Sequence, residues 1–168
     1  FKDSLSVALA KISWSLRQAG KEELLGNIEG IQDLSKFGGA DIIIEAASKG
    51  PEGRKLLFSK LLPRLDAGCL IAARCGVNPV RELLDSAELP KERLLGFHLL
   101  KPVRSNGLVE VVRTDHTRDE YVEAAVALLR RIGKTPVMVK DNPGQVVERL
   151  LRPFMLAALR LLESGKGY

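Results

Sequence analysis

The sequence predicts an α/β layer structure built on a mostly parallel sheet. Short apolar strand-like runs alternate with amphipathic helical segments along the chain, the pattern that stacks helices on a sheet. Some of those runs are apolar throughout, as strands buried on both faces are. The 168 residues suffice for one domain with a sizeable core, or for one domain and part of another.

The elements follow in order. Residues 3–18, DSLSVALAKISWSLRQ, set Leu5, Leu9, Ile12 and Leu16 on one helical face, and Gly20 is placed to stop the helix. Phe37-Gly38-Gly39-Ala40 precedes the next strand and reads as a turn. DIIIEAA, residues 41–47, suits a strand buried on both faces. PEGRKLLFSKLLPRL opens on Pro51, where a helix tolerates proline, and carries Leu57, Leu61 and Leu65 at spacings of four. CLIAA, residues 69–73, is a second buried strand, and a short helix is expected after Pro79. GFHLL and LVEVV are strand-like and are joined by PVRSNG, with its Asn106-Gly107 turn. Thr117 and Glu120 have capping-box spacing, and the helix they open carries Tyr121, Ala125, Leu128 and Ile132 on one stripe. PVMVK, residues 136–140, is a further strand. After Asn142-Pro143-Gly144 a long apolar helix is expected over residues 145–163, bent at Pro153.

Composition narrows the function classes. Hydrophobic residues make up 45% and charged residues 28%, ordinary for a globular protein. No apolar run approaches the roughly 20 residues of a membrane span. The first residue is Phe1, without a signal-peptide pattern, so the chain is expected to start inside a longer reading frame or to be processed. Cys69 and Cys75 make neither a disulfide framework nor a metal box, which points to reduced thiols and an intracellular, cytoplasmic setting; no metal is expected. The net charge of +5 suits an anionic partner such as a phosphorylated cofactor. Its basic residues are dispersed, with few aromatics beside them, which argues against nucleic acid.

Two titratable residues interrupt the strand-like segments. If GFHLL and LVEVV are neighbours, His98 and Glu110 approach each other across the pair. A carboxylate beside an imidazole fixes its orientation and tautomer and stabilises its protonated form. That suits a general base removing a hydroxyl proton while hydride leaves the same carbon; a buried structural ion pair would use the same spacing. His116, just before a helix start, reads as exposed and structural. Cys75 reads as an inert thiol. Arg130, Arg131 and Lys134 read as the solvated end of a helix.

The order ADIIIEA, LIAARCGVNPVREL, GFHLLKPV, GLVEVV and GKTPVMVKDNPGQVVERLLRPFMLAALRLLESG resembles the 3-hydroxyacyl-CoA dehydrogenase family over nearly the whole chain. The resemblance implies the C-terminal part of a doubly wound, Rossmann-like NAD-binding domain over residues 1–142. Residues 143–168 would then begin an all-helical C-terminal dimerisation domain. It implies the interconversion of 3-hydroxyacyl-CoA and 3-oxoacyl-CoA with NAD, as in fatty-acid β-oxidation. The partners implied are an acyl-CoA thioester and either a second copy of the chain or a multifunctional β-oxidation protein. The family's Gly-x-His-Phe-Phe-Asn-Pro motif matches GFHLLKP and carries the catalytic role to His98. Its Leu-Val-Glu-Val motif carries the partner role to Glu110.

Other positions depart from the family pattern. Gly76 stands where the resemblance places a serine touching substrate and cofactor. Lys101 replaces an asparagine, and Glu148 replaces another. Lys49 aligns with an acidic residue near the nicotinamide ribose, and Arg54 with a lysine. The resemblance thus assigns Arg54, Lys49, Gly76 and Lys101 to the cofactor, and Gly76, Lys101 and Glu148 to the substrate cleft. A Lys101–Glu148 bridge across that cleft is one expectation; Lys101 as donor to the substrate carbonyl is the other. No strand in these residues is followed by the Gly-x-Gly-x-x-Gly turn that cradles a pyrophosphate, so this stretch alone is expected to bind NAD poorly. The substitutions also fit a domain that keeps CoA or nucleotide binding, or a structural role, without catalysis. The altered loop at 74–79 fits another 3-hydroxy acid substrate.

Overall fold

The computed structural model describes residues 2–46, 50–76, 78–86 and 89–165. The chain divides into two units, residues 1–38 and 39–168.

In the first unit, α1 (Lys2–Gln18) ends at Gly20, whose φ of +63° supplies the left-handed turn a helix stop needs. Gly20 N–H donates to Arg17 O at 3.0 Å and Lys21 N–H to Leu16 O at 2.9 Å, satisfying carbonyls that the helix end leaves open. Leu5, Leu9 and Leu16 are half-buried, whereas Ile12 is exposed. The apolar face is thus covered for part of its length. The segment at Gly30 lies against it, where an added Cβ would stand 2.9 Å from Leu9 Cδ1.

The second unit is a five-stranded sheet in the order β1-β2-β3-β4-β5. The strands are β1 (Ile42–Glu45), β2 (Leu70–Arg74), β3 (Leu94–Leu99), β4 (Leu108–Arg113) and β5 (Thr135–Lys140). The β1–β2, β2–β3 and β4–β5 pairs are parallel, and β3–β4 is antiparallel. The reversal follows from chain length: the link from β3 to β4 is too short for the crossover a parallel pair needs. The helices are α2 (Pro51–Leu61), α3 (Arg81–Ser86), α4 (Asp119–Arg131) and α5 (Val147–Glu163).

Helices cover both faces. One face packs Ile71, Ala73, Leu94 and Val112 against Phe58 of α2 and Leu83 of α3. The other packs Ala72, Leu95, Phe97, Val109 and Val111 against Ala125 and Leu129 of α4. Four expectations change. β1 buries Ile43 and Glu45 but leaves Ile44 47% exposed, because it is an edge strand here. The buried stripe of α4 runs through Leu129, and Ile132 is exposed. The capping box does not form: Thr117 Oγ1 donates to Leu94 O of β3 at 2.6 Å, and α4 starts after Arg118 without a side-chain cap. Lys134 is not at a solvated helix end either; its ammonium donates to the carbonyls of Val103 and Asn106 and ties down the β3–β4 link.

Candidate active site

Parallel strands gather ligands at their carboxyl ends, where backbone N–H groups and loops converge. The carboxyl ends of β1, β2 and β3 bring Glu45, Arg74, Gly76 and His98 to one side of the sheet. His98 stands directly opposite Glu110 in the antiparallel register. Both side chains leave the same face, so a one-residue slip would separate them.

His98 Nδ1 lies 2.6 Å from Glu110 Oε2. Glu110 is 1% exposed and His98 7%. A carboxylate only accepts hydrogen bonds, so Nδ1 must be the donor. The lone pair of the neutral ring is then on Nε2. The other carboxylate oxygen, Oε1, accepts from the backbone N–H of Val146 at 2.8 Å and of Val147 at 3.1 Å. These groups open α5, which has no side-chain cap of its own. Glu110 therefore caps α5 from across the fold, and the helix dipole favours its charge.

The imidazole faces Gly76. A Cβ there would stand 3.7 Å from both Cδ2 and Nε2 of His98, ordinary contact, so the position has room for a small group beside the nitrogen. Cys75 precedes it. Burial is the main cause that pushes this thiol up to about 12, which keeps it protonated and unreactive. Arg54 on α2 donates from Nε to Glu45 Oε2 at 2.9 Å and from Nη2 to the same oxygen at 2.5 Å. Nη2 also reaches Arg74 O at 3.2 Å, which ties α2 to the ends of β1 and β2. Lys101 is exposed and precedes a cis peptide bond to Pro102. Glu148 pairs with Arg152, Nε to Oε2 at 3.3 Å. Among the described residues no ion pair joins Lys101 to Glu148, so the bridge expectation is withdrawn: Glu148 meets Arg152 one helical turn along instead. Lys49 lies outside the described residues.

The model for the 3-hydroxyacyl-CoA dehydrogenase NAD-binding domain matches residues 3–142. The chain belongs to the 3-hydroxyacyl-CoA dehydrogenase family. Its matched region is that family's NAD-binding domain, and NAD is the cofactor. The chain is similar to the solved structure of FadB2 from M. tuberculosis, with 27% identity and a TM-score of 0.87 over 96% of this chain and 60% of that one. It is similar to (S)-3-hydroxybutyryl-CoA dehydrogenase PaaH1 from Ralstonia eutropha, with 25% identity and a TM-score of 0.82 over 98% and 59%. It is also similar to 3-hydroxybutyryl-CoA dehydrogenase from Escherichia coli K12, with 30% identity and a TM-score of 0.79 over 96% and 34%. The chain thus spans about 60% of the length of the first two.

Two features of the chain are compatible with a bound dinucleotide. A Cβ at Gly76 would have no heavy atom nearer than the His98 imidazole at 3.7 Å, so the backbone there can be approached beside that ring. Arg54, held by Glu45, keeps Nη1 without a partner among the described residues.

Sequence reasoning missed several supporting groups in this dehydrogenase-family chain. Arg93 is buried and donates from Nη1 to the carbonyls of Asp66 and Cys69, both at 2.7 Å, fixing the turn before β2. Asp141 accepts from the N–H groups of Val80 and Arg81, both at 2.7 Å, and so closes the loop that follows Gly76. Gln145 is buried with φ +41°, and its side-chain amide has no partner among the described residues. One signal was legible for it: a polar residue directly after Pro143-Gly144, at the start of an apolar helix.

Proposed function

We propose that the complete protein interconverts a 3-hydroxyacyl-CoA thioester and its 3-oxo form with NAD, and that His98 and Glu110 carry the proton chemistry. NAD, when bound, takes the hydride from the hydroxyl-bearing carbon or returns it. His98 Nε2 takes the hydroxyl proton as the carbonyl forms, and gives it back in the reverse direction. Glu110 holds Nδ1–H and stabilises the imidazolium that results. The carrying observation is the 2.6 Å contact between His98 Nδ1 and Glu110 Oε2, with Nε2 turned to the space at Gly76. Gly76, Arg54 and Lys49 would border the nicotinamide side, and Lys101 and Glu148 the substrate side. With no bridge to Glu148, Lys101 is available as donor to the substrate carbonyl.

The domain reading is that residues 1–142 are part of the NAD-binding domain and 143–168 begin a helical one. The family match ending at residue 142 supports it. Leu150, Phe154 and Met155 of α5 are between 60% and 73% exposed, which suits coverage by a following domain or by a second copy. A homodimer, or a place within a multifunctional β-oxidation protein, is the assembly we infer. No helix among the described residues is long and apolar enough to cross a membrane. We place the protein inside the cell, in the cytoplasm, on the two free cysteines.

The test is turnover of acetoacetyl-CoA with NADH by the complete reading frame, beside His98→Gln. The proposal expects NADH oxidation that falls by about 10²–10⁴ in the variant. Equal rates would remove His98 from the reaction. A second reading, a binding domain without catalysis, rests on Gly76 and Glu148. It requires a folded wild-type protein that binds NADH or the thioester and oxidises nothing. A parallel panel of free 3-hydroxy acids checks for a substrate outside the CoA thioesters.

A further inference from the structure

The sheet has a second carboxyl end. Because β3 and β4 run antiparallel, the parallel pair β4–β5 points away from the His98 side. Its carboxyl end opens into a cleft of about 720 Å³. Arg113 there is three residues along β4 from Glu110, about 10 Å at the rise of a strand. Four basic side chains, Arg81, Lys91, Arg113 and Lys140, line the cleft with two acidic ones, Asp115 and Asp141.

With Asp119, which pairs with Arg113, three carboxylates stand against four cations, an excess of one positive charge. Both carboxylate oxygens of Asp141 are spent on the N–H groups of Val80 and Arg81. Arg81 Nη1 donates to Asp141 O at 2.7 Å, which anchors one end of its guanidinium. Arg113 pairs with Asp119 at 2.5 Å, outside the lining. Lys91 and Lys140 have no partner among the described residues. Two lysines without ion-pair partners that line one concavity draw an anion. Asn142 adds an amide donor, and Val139 forms a buried floor.

We propose that this cleft is a second ligand site, for a dianionic phosphate group, separate from the His98 crevice. Lys91 and Lys140 bind its charge as point cations, and Arg81 supplies a planar donor fork. The site is open to water, so its affinity falls as ionic strength rises. This assignment does not rest on the proposed dehydrogenase reaction.

The experiment is calorimetric titration of the complete protein at low ionic strength with inorganic pyrophosphate, and separately with adenosine 3′,5′-bisphosphate. The proteins are wild type, Lys91→Gln/Lys140→Gln and His98→Gln. The expected result is one pyrophosphate per chain, bound at least about tenfold more weakly by the double lysine variant and unchanged by His98→Gln. The unliganded Tm of the double variant should match wild type, since neither lysine has a partner to lose. Lysine-dependent binding of the bisphosphate as well would identify the ligand as the phosphorylated head of CoA. Lysine-dependent binding of pyrophosphate alone would identify a free phosphate compound. Binding that is absent, equal in wild type and the double variant, or abolished by saturating NADH would overturn the assignment.

Discussion

Replacing Glu110 by glutamine isolates the charge in the histidine–glutamate pair from its shape. Glutamine is isosteric, and its carbonyl oxygen can still accept from Val146 N–H and Val147 N–H, now at 2.8 and 3.1 Å from Oε1. Its NH2 group then faces His98 Nδ1, 2.6 Å from Oε2 in the native pair. Two donors cannot share that contact, so the neutral ring must move its proton to Nε2. The nitrogen facing Gly76 is then no longer a base. Turnover of the complete protein should fall by about 10²–10⁴. Stability should change little, because the helix cap survives. Glu110→Ala separates the two effects: it leaves a buried imidazole N–H and two helix-opening N–H groups without their acceptor. That should cost about 3–5 kcal/mol, as when one partner of a buried pair is deleted. The assays are NADH oxidation with acetoacetyl-CoA and urea unfolding. Turnover of Glu110→Gln within about twofold of wild type would refute the tautomer argument. An alanine variant as stable as the glutamine one would refute the capping argument.

Other outcomes follow from single positions. Gly96→Ala would place a Cβ 2.5 Å from Val80 Cγ2, 2.8 Å from Cys75 Sγ and 3.0 Å from Val112 Cβ, so unfolding should show a loss of about 1–3 kcal/mol; an unchanged midpoint would contradict that packing. Gly76→Ser fits, since its Cβ clears the imidazole by 3.7 Å, and a hydroxyl beside Nε2 should raise kcat by about 10-fold or more. A drop in kcat with an unchanged Tm would show that the open space itself is used. Cys75, with its pKa raised from 9.0 to about 12, should react with iodoacetamide at pH 8 roughly 10³-fold more slowly than the same thiol in urea; peptide mapping that finds equal rates would disprove its burial. The raised value favours the protonated fold, so its contribution is complete below about pH 9 and is lost as pH climbs from 9 toward 12.

The sequence made the pairing of His98 with Glu110 legible because each is the lone titratable residue in an apolar run with a short turn between. Adjacent strands with such a link must run antiparallel, and alternation then sets which side chains share a face. What stayed hidden depends on contacts far along the chain. Thr117 has the residue type and spacing of a helix cap, yet a carbonyl of β3 competes for its hydroxyl. Lys134 looks like a solvated cation, yet two loop carbonyls lie within its reach. The carboxylate that holds Arg54, Glu45, sits at the end of an otherwise apolar strand, and nothing local marks it out. The strands and helices follow from local pattern, whereas the groups that lock the site in place answer to partners 9 to 61 residues away.

One carboxylate serves two masters in this fold. Glu110 divides its negative charge between an imidazole and the first amides of a 17-residue helix. If the opening turn of α5 draws back from β4, two donors leave the carboxylate, and its whole charge falls on the ring. The orientation of the imidazole and the seating of α5 therefore depend on the same side chain. A force applied to the far, exposed end of that helix would reach the imidazole through a single carboxylate.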